Sequence, residues 1–343
     1  MRTPTVVSLN GYFLNNPHTG SGQYTLHLIE HIKDLAVAKP ESLLSNPAKL
    51  QWEQLQWPRQ AREQDAAILH APYFALPLRR TLPAVVTIHD LIPMVLPAYR
   101  GSPLVRAYTW LQALACRSAE AILVDSECSK RDVLRLLRVP EDRVHVVYLG
   151  VDPRFSPDPS GSSPLDQPYV FYLGGLDLRK NVPALIRAFT EIAPEYPDLV
   201  LAIAGQPRQP SPLFPDLRAQ AAPLGGRVRF LGQVSNNEKL ALYRHAELFA
   251  FPSLYEGFGL DPLEALACGC PVVCSTASSL PEITGDAALL FDPKDQRALA
   301  DAMRLALADP DPLRAKGPPQ AAKFTWEKTA EQTAAVYGRV AAQ

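Results

Sequence analysis

The most informative segment of the sequence is Ser253-Leu-Tyr-Glu256-Gly-Phe-Gly-Leu-Asp261-Pro262-Leu-Glu264-Ala-Leu-Ala-Cys-Gly269. The apolar run 248–251 precedes it and predicts a buried strand, so the whole segment predicts a strand, a glycine loop and a helix. Pro262 suits the first position of that helix with Asp261 as its cap, and Gly269 suits its carboxyl end. Units of this kind build parallel α/β sheets.

The loop of this stretch can bring backbone donors and two carboxylates to one ligand. Its glycines let the N–H groups of Gly257, Phe258 and Gly259 approach a ligand closely. Glu256 precedes the loop and Glu264 follows it, so both carboxylates could accept hydrogen bonds from the vicinal hydroxyls of a sugar. The alternative is a capped helix with two solvated glutamates.

The same alternation of short apolar runs and helical patterns extends along the chain, including a helix over residues 23–35. It predicts the α/β class. Residues 153–168 are rich in Pro, Ser, Asp and Gly, which is typical of a linker. We therefore predict two Rossmann-like, doubly wound domains, residues 1–160 and 161–325, that face an interdomain cleft. A last helix begins at residue 326.

A second glycine segment lies between a predicted strand and a predicted helix. It holds Gly174 and Gly175, followed by Arg179 and Lys180 at the start of the helix. Backbone donors and a lysine charge at this point suit a diphosphate. The alternative is a pair of ordinary surface cations.

The first half contributes a backbone-donor loop around Gly22 and a His89-Asp90 step after a predicted strand. The loop is not a dinucleotide fingerprint, because it lies far from the first strand and lacks a third glycine. His89 with Asp90 suits acid–base chemistry in a cleft, whereas a structural hydrogen-bonding histidine is the alternative.

The composition excludes several classes of protein. Lys plus Arg number 34 against 35 for Asp plus Glu, so the net charge gives no reason to expect nucleic acid as a partner. The five cysteines favour a reduced compartment, and Cys268, Cys270 and Cys274 lack the further ligands of a metal site. Without a signal peptide or an apolar span, we expect a cytoplasmic protein, with peripheral membrane association at most.

Taken together, these motifs resemble the family 4 glycosyltransferases with the GT-B fold. The Glu-x7-Glu motif from Glu256 to Glu264 is the family's hallmark. The matching segments appear in the family's order and cover nearly the whole chain; they are residues 20–24, 89–90, 126–130, 150–155, 174–181, 256–264, 268–273, 280–282, 285–288 and 292–293.

The resemblance implies a retaining, metal-independent hexosyltransferase without a cofactor. The donor would be a UDP- or GDP-sugar, and the acceptor a glycan or lipid-linked molecule in cell-envelope or exopolysaccharide synthesis at the inner face of the membrane. The first domain would be the acceptor side and the second the donor side, with helix 326–343 crossing back to the first.

The resemblance also implies residue roles. Glu264 would bind ribose, Glu256 the transferred sugar, and Lys180 the diphosphate. Gly22 would approach the phosphates, and His89 would line the reacting centre. The catalytic set is therefore His89, Glu256 and Lys180, and the donor set is Gly22, Gly174, Gly175, Arg179, Lys180, Glu256, Gly257, Phe258, Gly259, Leu260 and Glu264, with no metal ligand.

One position departs from the family pattern. Gly175 stands where the family usually has an arginine, and Arg179 is the nearby cation that could compensate. Three other functions stay open: a nucleotide-sugar epimerase, a phosphorylase, and a scaffold that binds sugar nucleotides without turnover. A phosphorylase would need a pyridoxal-phosphate lysine and the long inserts that surround it.

Overall fold

The structure, a computed structural model, describes residues 6–158, 160–295 and 297–343. Its contacts divide the chain into two units: Met1–Gly150 with Thr325–Gln343 form unit 1, and Val151–Phe324 form unit 2. The chain enters unit 2 at Val151, ahead of the predicted boundary after residue 160. The reason lies in Arg244, which donates hydrogen bonds to the Arg154 and Ser156 carbonyls and so holds the start of the predicted linker on unit 2.

Unit 2 contains a six-stranded sheet whose strand pairs are all parallel. Its spatial order, read from one edge, is β12-β11-β10-β7-β8-β9, so the direction of winding reverses between β7 and β10. The four central strands are almost wholly buried because helices cover both faces of such a sheet, whereas the edge strands β9 and β12 are partly exposed. They are β7 (Tyr169–Leu173), β8 (Val200–Ala204), β9 (Val228–Gly232), β10 (Leu248–Phe251), β11 (Val272–Ser275) and β12 (Ala288–Phe291).

The helices of unit 2 are α7 (Val182–Ile192), α8 (Leu217–Ala221), α9 (Asn236–His245), α10 (Leu260–Ala267), α11 (Leu280–Thr284), α12 (Ala298–Ala308) and α13 (Asp311–Ala321). Helix α13 was not expected, because it contains Pro318 and Pro319. It packs closely on α10 at Gly317, where a β-carbon would lie 2.6 Å from the Leu266 carbonyl oxygen.

Unit 1 has its own parallel sheet, in the order β2-β1-β3-β4-β5-β6. The strands are β1 (Val7–Asn10), β2 (Leu35–Ala38), β3 (Ile68–Ala71), β4 (Ala84–Ile88), β5 (Ala121–Val124) and β6 (Val144–Val146). Both units are therefore doubly wound α/β domains, as predicted. The prediction of helix over residues 23–35 was wrong at its end, because the helix stops at His31 and Leu35 opens the edge strand β2.

The helices of unit 1 are α1 (Gly20–His31), α2 (Asn46–Gln51), α3 (Trp57–Glu63), α4 (Ile92–Val95), α5 (Pro103–Arg117), α6 (Glu127–Leu137) and α14 (Trp326–Ala341). A π-helical segment, Trp52–Gln56, joins α2 to α3 and buries Trp52. No helix within the described ranges is both long enough and apolar enough to cross a membrane.

Helix α14 completes the core of unit 1 from the far end of the sequence. Val336, Tyr337 and Val340 are buried against strands β1, β3, β4 and β5. The Tyr337 hydroxyl lies 2.6 Å from Nδ1 of the buried His70, and the Thr329 hydroxyl donates to the Tyr148 carbonyl at 2.7 Å. The first unit therefore depends on the last residues of the chain.

The start of α14, at Thr325 and Trp326, leaves no space for a side chain at Gly150. A β-carbon there would lie 2.1 Å from the backbone nitrogen of Trp326. We expect Gly150→Ala to lower the free energy of unfolding by roughly 2–4 kcal/mol, because neither backbone can yield without moving α14. Urea unfolding followed by circular dichroism measures the change.

Gly338→Ala is the matched control. Gly338 lies inside α14 with open space around its Cα, so alanine should raise the free energy of unfolding by about 0.5–1 kcal/mol. Equal effects of the two substitutions would contradict the close approach at Gly150.

Candidate donor-binding site

The candidate site of unit 2 lies where its sheet reverses direction. Strands β7 and β10 are neighbours, and the loops after them carry the Gly174–Lys180 and Ser253–Gly259 segments. In open parallel sheets, ligands bind beyond the carboxyl ends of the strands at this reversal point. The two glycine segments that the sequence singles out are therefore brought together.

Glu256 is the centre of this site. Its Oε1 atom lies 2.7 Å from Lys180 Nζ and 2.8 Å from Arg179 Nη1, and it accepts a hydrogen bond from the Ser253 hydroxyl at 2.5 Å. These four side chains are called the Glu256 cluster below. The cluster joins the loop after β7 to the loop after β10 by charge-assisted hydrogen bonds.

The cluster keeps Glu256 ionised in spite of burial. Burial by itself opposes ionisation, but the positive charges of Lys180 and Arg179 outweigh it and lower the pKa of the Glu256 carboxyl. Lys180 is only 7% exposed, and its Nζ lies 4.7 Å from the centre of the Phe251 ring. A lysine held in this way presents its charge in one direction.

Arg179 takes its place in the cluster from a 3₁₀ turn, Leu178–Lys180, that Asp177 caps. This corrects the prediction that Arg179 and Lys180 begin the helix, since α7 starts only at Val182. A β-carbon at Gly175 would lie 2.7 Å from the Asp177 carboxylate, so the capping aspartate fills the space of a side chain there. Arg179 reaches Glu256 from the next turn instead.

The loop after Glu256 leads directly into α10. Gly259 is the residue before the helix, with φ of 124°, and Leu260 is its first residue. The predicted cap was therefore wrong: Asp261 lies inside the first turn, because the left-handed conformation of Gly259 lets the helix begin two residues earlier. Gly257 and Phe258 are buried in the loop. Gly269, at φ of 71°, follows the helix end as predicted.

Glu264 has a cation of its own. Its Oε1 atom lies 2.8 Å from Lys239 Nζ, and the Tyr243 hydroxyl lies 3.4 Å from Oε2. Burial, together with the nearby Asp261 carboxyl, raises the pKa of the Glu264 carboxyl to about 7, against the opposing charge of Lys239. The second glutamate of the motif therefore titrates near neutral pH, unlike Glu256.

A cavity of about 580 Å³ opens at the same edge of the sheet. Its lining includes Gly205 and Gly232, at the ends of β8 and β9, and the apolar side chains of Leu176, Phe214 and Phe230. The volume lies in the range that small ligands occupy. Gly205 is required there, because a β-carbon would lie 2.3 Å from the Gly174 carbonyl oxygen.

In unit 1, the segment around Gly22 is helical rather than a loop. Helix α1 begins at Gly20, and the Gly22 N–H donates to the hydroxyl of the capping Thr19 at 3.1 Å. A β-carbon on Gly22 would lie 2.5 Å from the Asn16 carbonyl oxygen, so packing alone requires glycine there.

His89 pairs with a residue that sequence reasoning missed. Its Nδ1 atom lies 2.6 Å from Oδ2 of Asp125, and its Nε2 atom lies 3.1 Å from the Pro72 carbonyl oxygen. Burial lowers the pKa of His89, but the Asp125 carboxylate outweighs it, and the net shift is upward. Asp90 instead accepts from the backbone of Ile92. The sequence held a signal for this pair. It predicts a strand that ends at Asp125, and the carboxyl end of that strand lies at the same sheet edge as His89.

Two family models match the chain in succession. The model described as Glycosyltransferase Family 4 matches residues 20–155, and the model described as Glycosyl transferases group 1 matches residues 157–324. O-antigen chain mannosyltransferase B of Escherichia coli is 32% identical over 94% of this chain and 96% of that protein. The chain belongs to glycosyltransferase family 4. It also matches the serotype-specific mannosyltransferase WbdA of Escherichia coli at 32% identity, but spans about a third of that protein's length.

Solved structures place this family 4 glycosyltransferase in the GT-B fold. Sucrose-phosphate synthase from Thermosynechococcus elongatus superposes with a TM-score of 0.78 at 21% identity, over 99% of this chain and 100% of that chain. Anabaena HepE, solved in complex with UDP-glucose, gives a TM-score of 0.73 at 17% identity, over 98% and 100%. At these identities the likeness concerns the fold alone.

The raised pKa of Glu264 predicts a pH dependence of stability. The neutral carboxyl is favoured in the folded chain, so its contribution is complete below about pH 4.5 and is lost as the pH rises to about 7. We expect the free energy of unfolding of the wild type, relative to Glu264→Gln, to fall by on the order of 3 kcal/mol across that window. It should level off above about pH 8, where the folded-state carboxyl is fully ionised.

Urea unfolding of both proteins between pH 4.5 and pH 8 measures this difference. Glu331→Gln, at an exposed position of α14, serves as the control and should track the wild type at every pH. A constant difference between wild type and Glu264→Gln would contradict the raised pKa.

Proposed function

We propose that this glycosyltransferase moves a hexosyl group from a UDP- or GDP-sugar to a glycan or lipid-linked acceptor, with retention of anomeric configuration, in polysaccharide synthesis. The Glu256 cluster at the reversal of the sheet carries the proposal. The names of its mannosyltransferase relatives favour mannose as the sugar and polysaccharide or O-antigen assembly as the setting.

The diphosphate of the donor would lie against Lys180 and Arg179. The bond that breaks leaves negative charge on the diphosphate, and fixed cations stabilise that charge without reorganising. The amino end of α10, after Gly259, adds the favourable end of a helix dipole. Because these groups supply positive charge, we propose that transfer needs no metal ion and no cofactor.

The two glutamates would divide the remaining contacts to the donor. Glu256, ionised and fixed by two cations, would accept hydrogen bonds from hydroxyls of the transferred sugar. Glu264 would accept from the ribose hydroxyls, as acidic residues do in dinucleotide sites. The cavity beside Gly205 and Gly232 offers the nucleoside a space of suitable volume.

His89 would line the reacting centre, with Asp125 fixing the orientation of its ring. No carboxylate of the sequence is identified as a nucleophile, so we propose that the acceptor attacks from the face that the diphosphate leaves. This route passes through no covalent sugar–enzyme intermediate, unlike the double displacement of retaining glycosidases. Isolation of a sugar ester of any carboxylate during turnover would overturn it.

The transfer proposal is tested with a panel of UDP-, GDP-, ADP- and dTDP-sugars, with and without glycan or lipid-linked acceptors, by following release of the nucleoside diphosphate. We expect release from one donor class that depends on acceptor. Glu256→Ala should lower the rate at least about 10³-fold, because it removes the sugar contact and the carboxylate that holds both Lys180 and Arg179 in place. Glu331→Ala should keep the wild-type rate.

The other outcomes identify the alternatives. Binding of a donor without release favours the scaffold, and conversion of the donor sugar without acceptor favours the epimerase.

Arg179→Ala should weaken donor binding about as strongly as Lys180→Ala does, because both side chains reach the same carboxylate. A wild-type rate in Glu256→Ala that folds normally would show that the donor binds elsewhere.

We also propose that α5 carries a peripheral contact with an anionic membrane surface. The sequence of α5, PLVRAYTWLQALACR, contains no acidic residue. Arg106, Trp110, Leu114 and Arg117 recur at helical spacing. Trp110 is 64% exposed, and Leu104, in the first turn of the same helix, is 79% exposed. An apolar face that also carries cations is typical of helices that lie in the headgroup region.

Binding to vesicles tests this contact. Trp110→Ala should weaken binding to vesicles with anionic lipid roughly tenfold, because it removes the largest exposed apolar side chain of α5. The control is Leu305→Ala, which removes an equally exposed side chain, at 65%, from α12 of unit 2. Equal losses in both variants, or equal affinity for neutral and anionic vesicles, would contradict the proposal.

A further inference from the structure

Two histidines and a glutamate converge on one face of α1, at the end of the helix remote from Gly22. His27, Glu30 and His31 stand at positions i, i+3 and i+4, which one helical face shares. One nitrogen or oxygen atom from each of the three lies within 4.8 Å of the other two. The His-x-x-Glu-His spacing is one by which helical imidazoles hold zinc in proteins.

The distances within this group suit a small divalent ion. His27 Nδ1 lies 3.0 Å from Glu30 Oε2. Ligand atoms at tetrahedral Zn²⁺, with bonds of about 2.0–2.1 Å, stand about 3.3 Å apart. Small rotations of the exposed Glu30 side chain and of the half-buried His27 and His31 rings therefore bring the three atoms to bonding distance of one ion.

Second contacts orient both imidazole rings. His31 Nδ1 lies 2.8 Å from the His27 carbonyl oxygen, so it carries the proton and leaves the Nε2 lone pair for a ligand. The His27 ring stacks on the Trp326 indole, with 4.2 Å between centroids and 15° between planes. Such outer contacts fix the tautomer and direction of metal-binding histidines.

A fourth ligand is available from α14. Glu327 Oε1 lies 3.6 Å from His31 Nε2, and its side chain is 67% exposed and able to turn. Glu327 follows Trp326 at the start of α14, so the group includes residues from the first and last helices of unit 1. An ion bound here would connect the two helices directly.

We propose that His27, Glu30, His31 and Glu327 bind one Zn²⁺ ion, which holds the start of α14 on α1. Two imidazoles with carboxylates favour zinc over magnesium or calcium, which prefer all-oxygen sites. The role of the ion is structural. Its ligands belong to unit 1, whereas the Glu256 cluster belongs to unit 2, and the proposed transfer chemistry does not use it.

The test is a zinc titration of the full chain after dialysis against a chelator, with a chromophoric competitor to measure affinity. We expect one Zn²⁺ per chain at this site. His27→Gln and His31→Gln should each weaken binding on the order of 100-fold, and Glu327→Gln about tenfold. His18→Gln, at an exposed position before α1, should bind zinc as the wild type does.

Thermal unfolding gives a second readout that does not depend on activity. Zinc at about 100 times its Kd should raise Tm of the wild type and of His18→Gln on the order of 5 °C, and a chelator should reverse the shift. His31→Gln should show no shift at the same concentration. Equal zinc affinity in the wild type, His27→Gln and His31→Gln would overturn the proposal. Unchanged affinity in Glu327→Gln would overturn the part of it in which the ion connects α14 to α1.

Discussion

The ion pairs of Glu256 with Lys180 and Arg179 are the constraint on which the candidate site of unit 2 depends. Each partner alone would be a charge largely removed from water, and loss of one partner from such a group is strongly destabilising. Together they fasten the loop after β7 to the loop after β10, with help from the Leu254 N–H, which donates to the Arg179 carbonyl at 2.7 Å. The geometry of the site is therefore fixed before any ligand arrives.

The two glutamates of the motif differ in the direction of their pKa shifts. Burial opposes ionisation of both carboxyls. Two cations outweigh it at Glu256 and lower that pKa, whereas at Glu264 burial and the nearby Asp261 outweigh Lys239 and raise the pKa to about 7. A sequence pattern with two identical residues thus gives one carboxyl whose pKa is lowered and one whose pKa is raised to about 7. The local charge around each residue, which spacing does not reveal, makes the difference.

The fold was predictable from periodicity, because buried parallel strands leave near-continuous apolar runs such as Leu248–Phe251. The pairing of the two glycine segments was predictable as well, since both follow strands at one sheet edge. We did not predict three further features. Gly259 adopts a conformation that starts α10 early, α13 tolerates two prolines because tertiary packing outweighs propensity, and Asp125 reaches His89 across adjacent strands. Each depends on tertiary contacts rather than on local pattern.

The return of α14 to unit 1 makes unit 2 an insertion within the other domain. During synthesis the ribosome releases all of Val151–Phe324 before the helix that covers β1, β3, β4 and β5 exists. Unit 2 is fully synthesised before α14 and can fold as a domain. At that stage the sheet of unit 1 still has one apolar face uncovered. The amino-terminal domain is thus completed only after unit 2, and a chain that stopped before α14 would leave one face of its sheet uncovered.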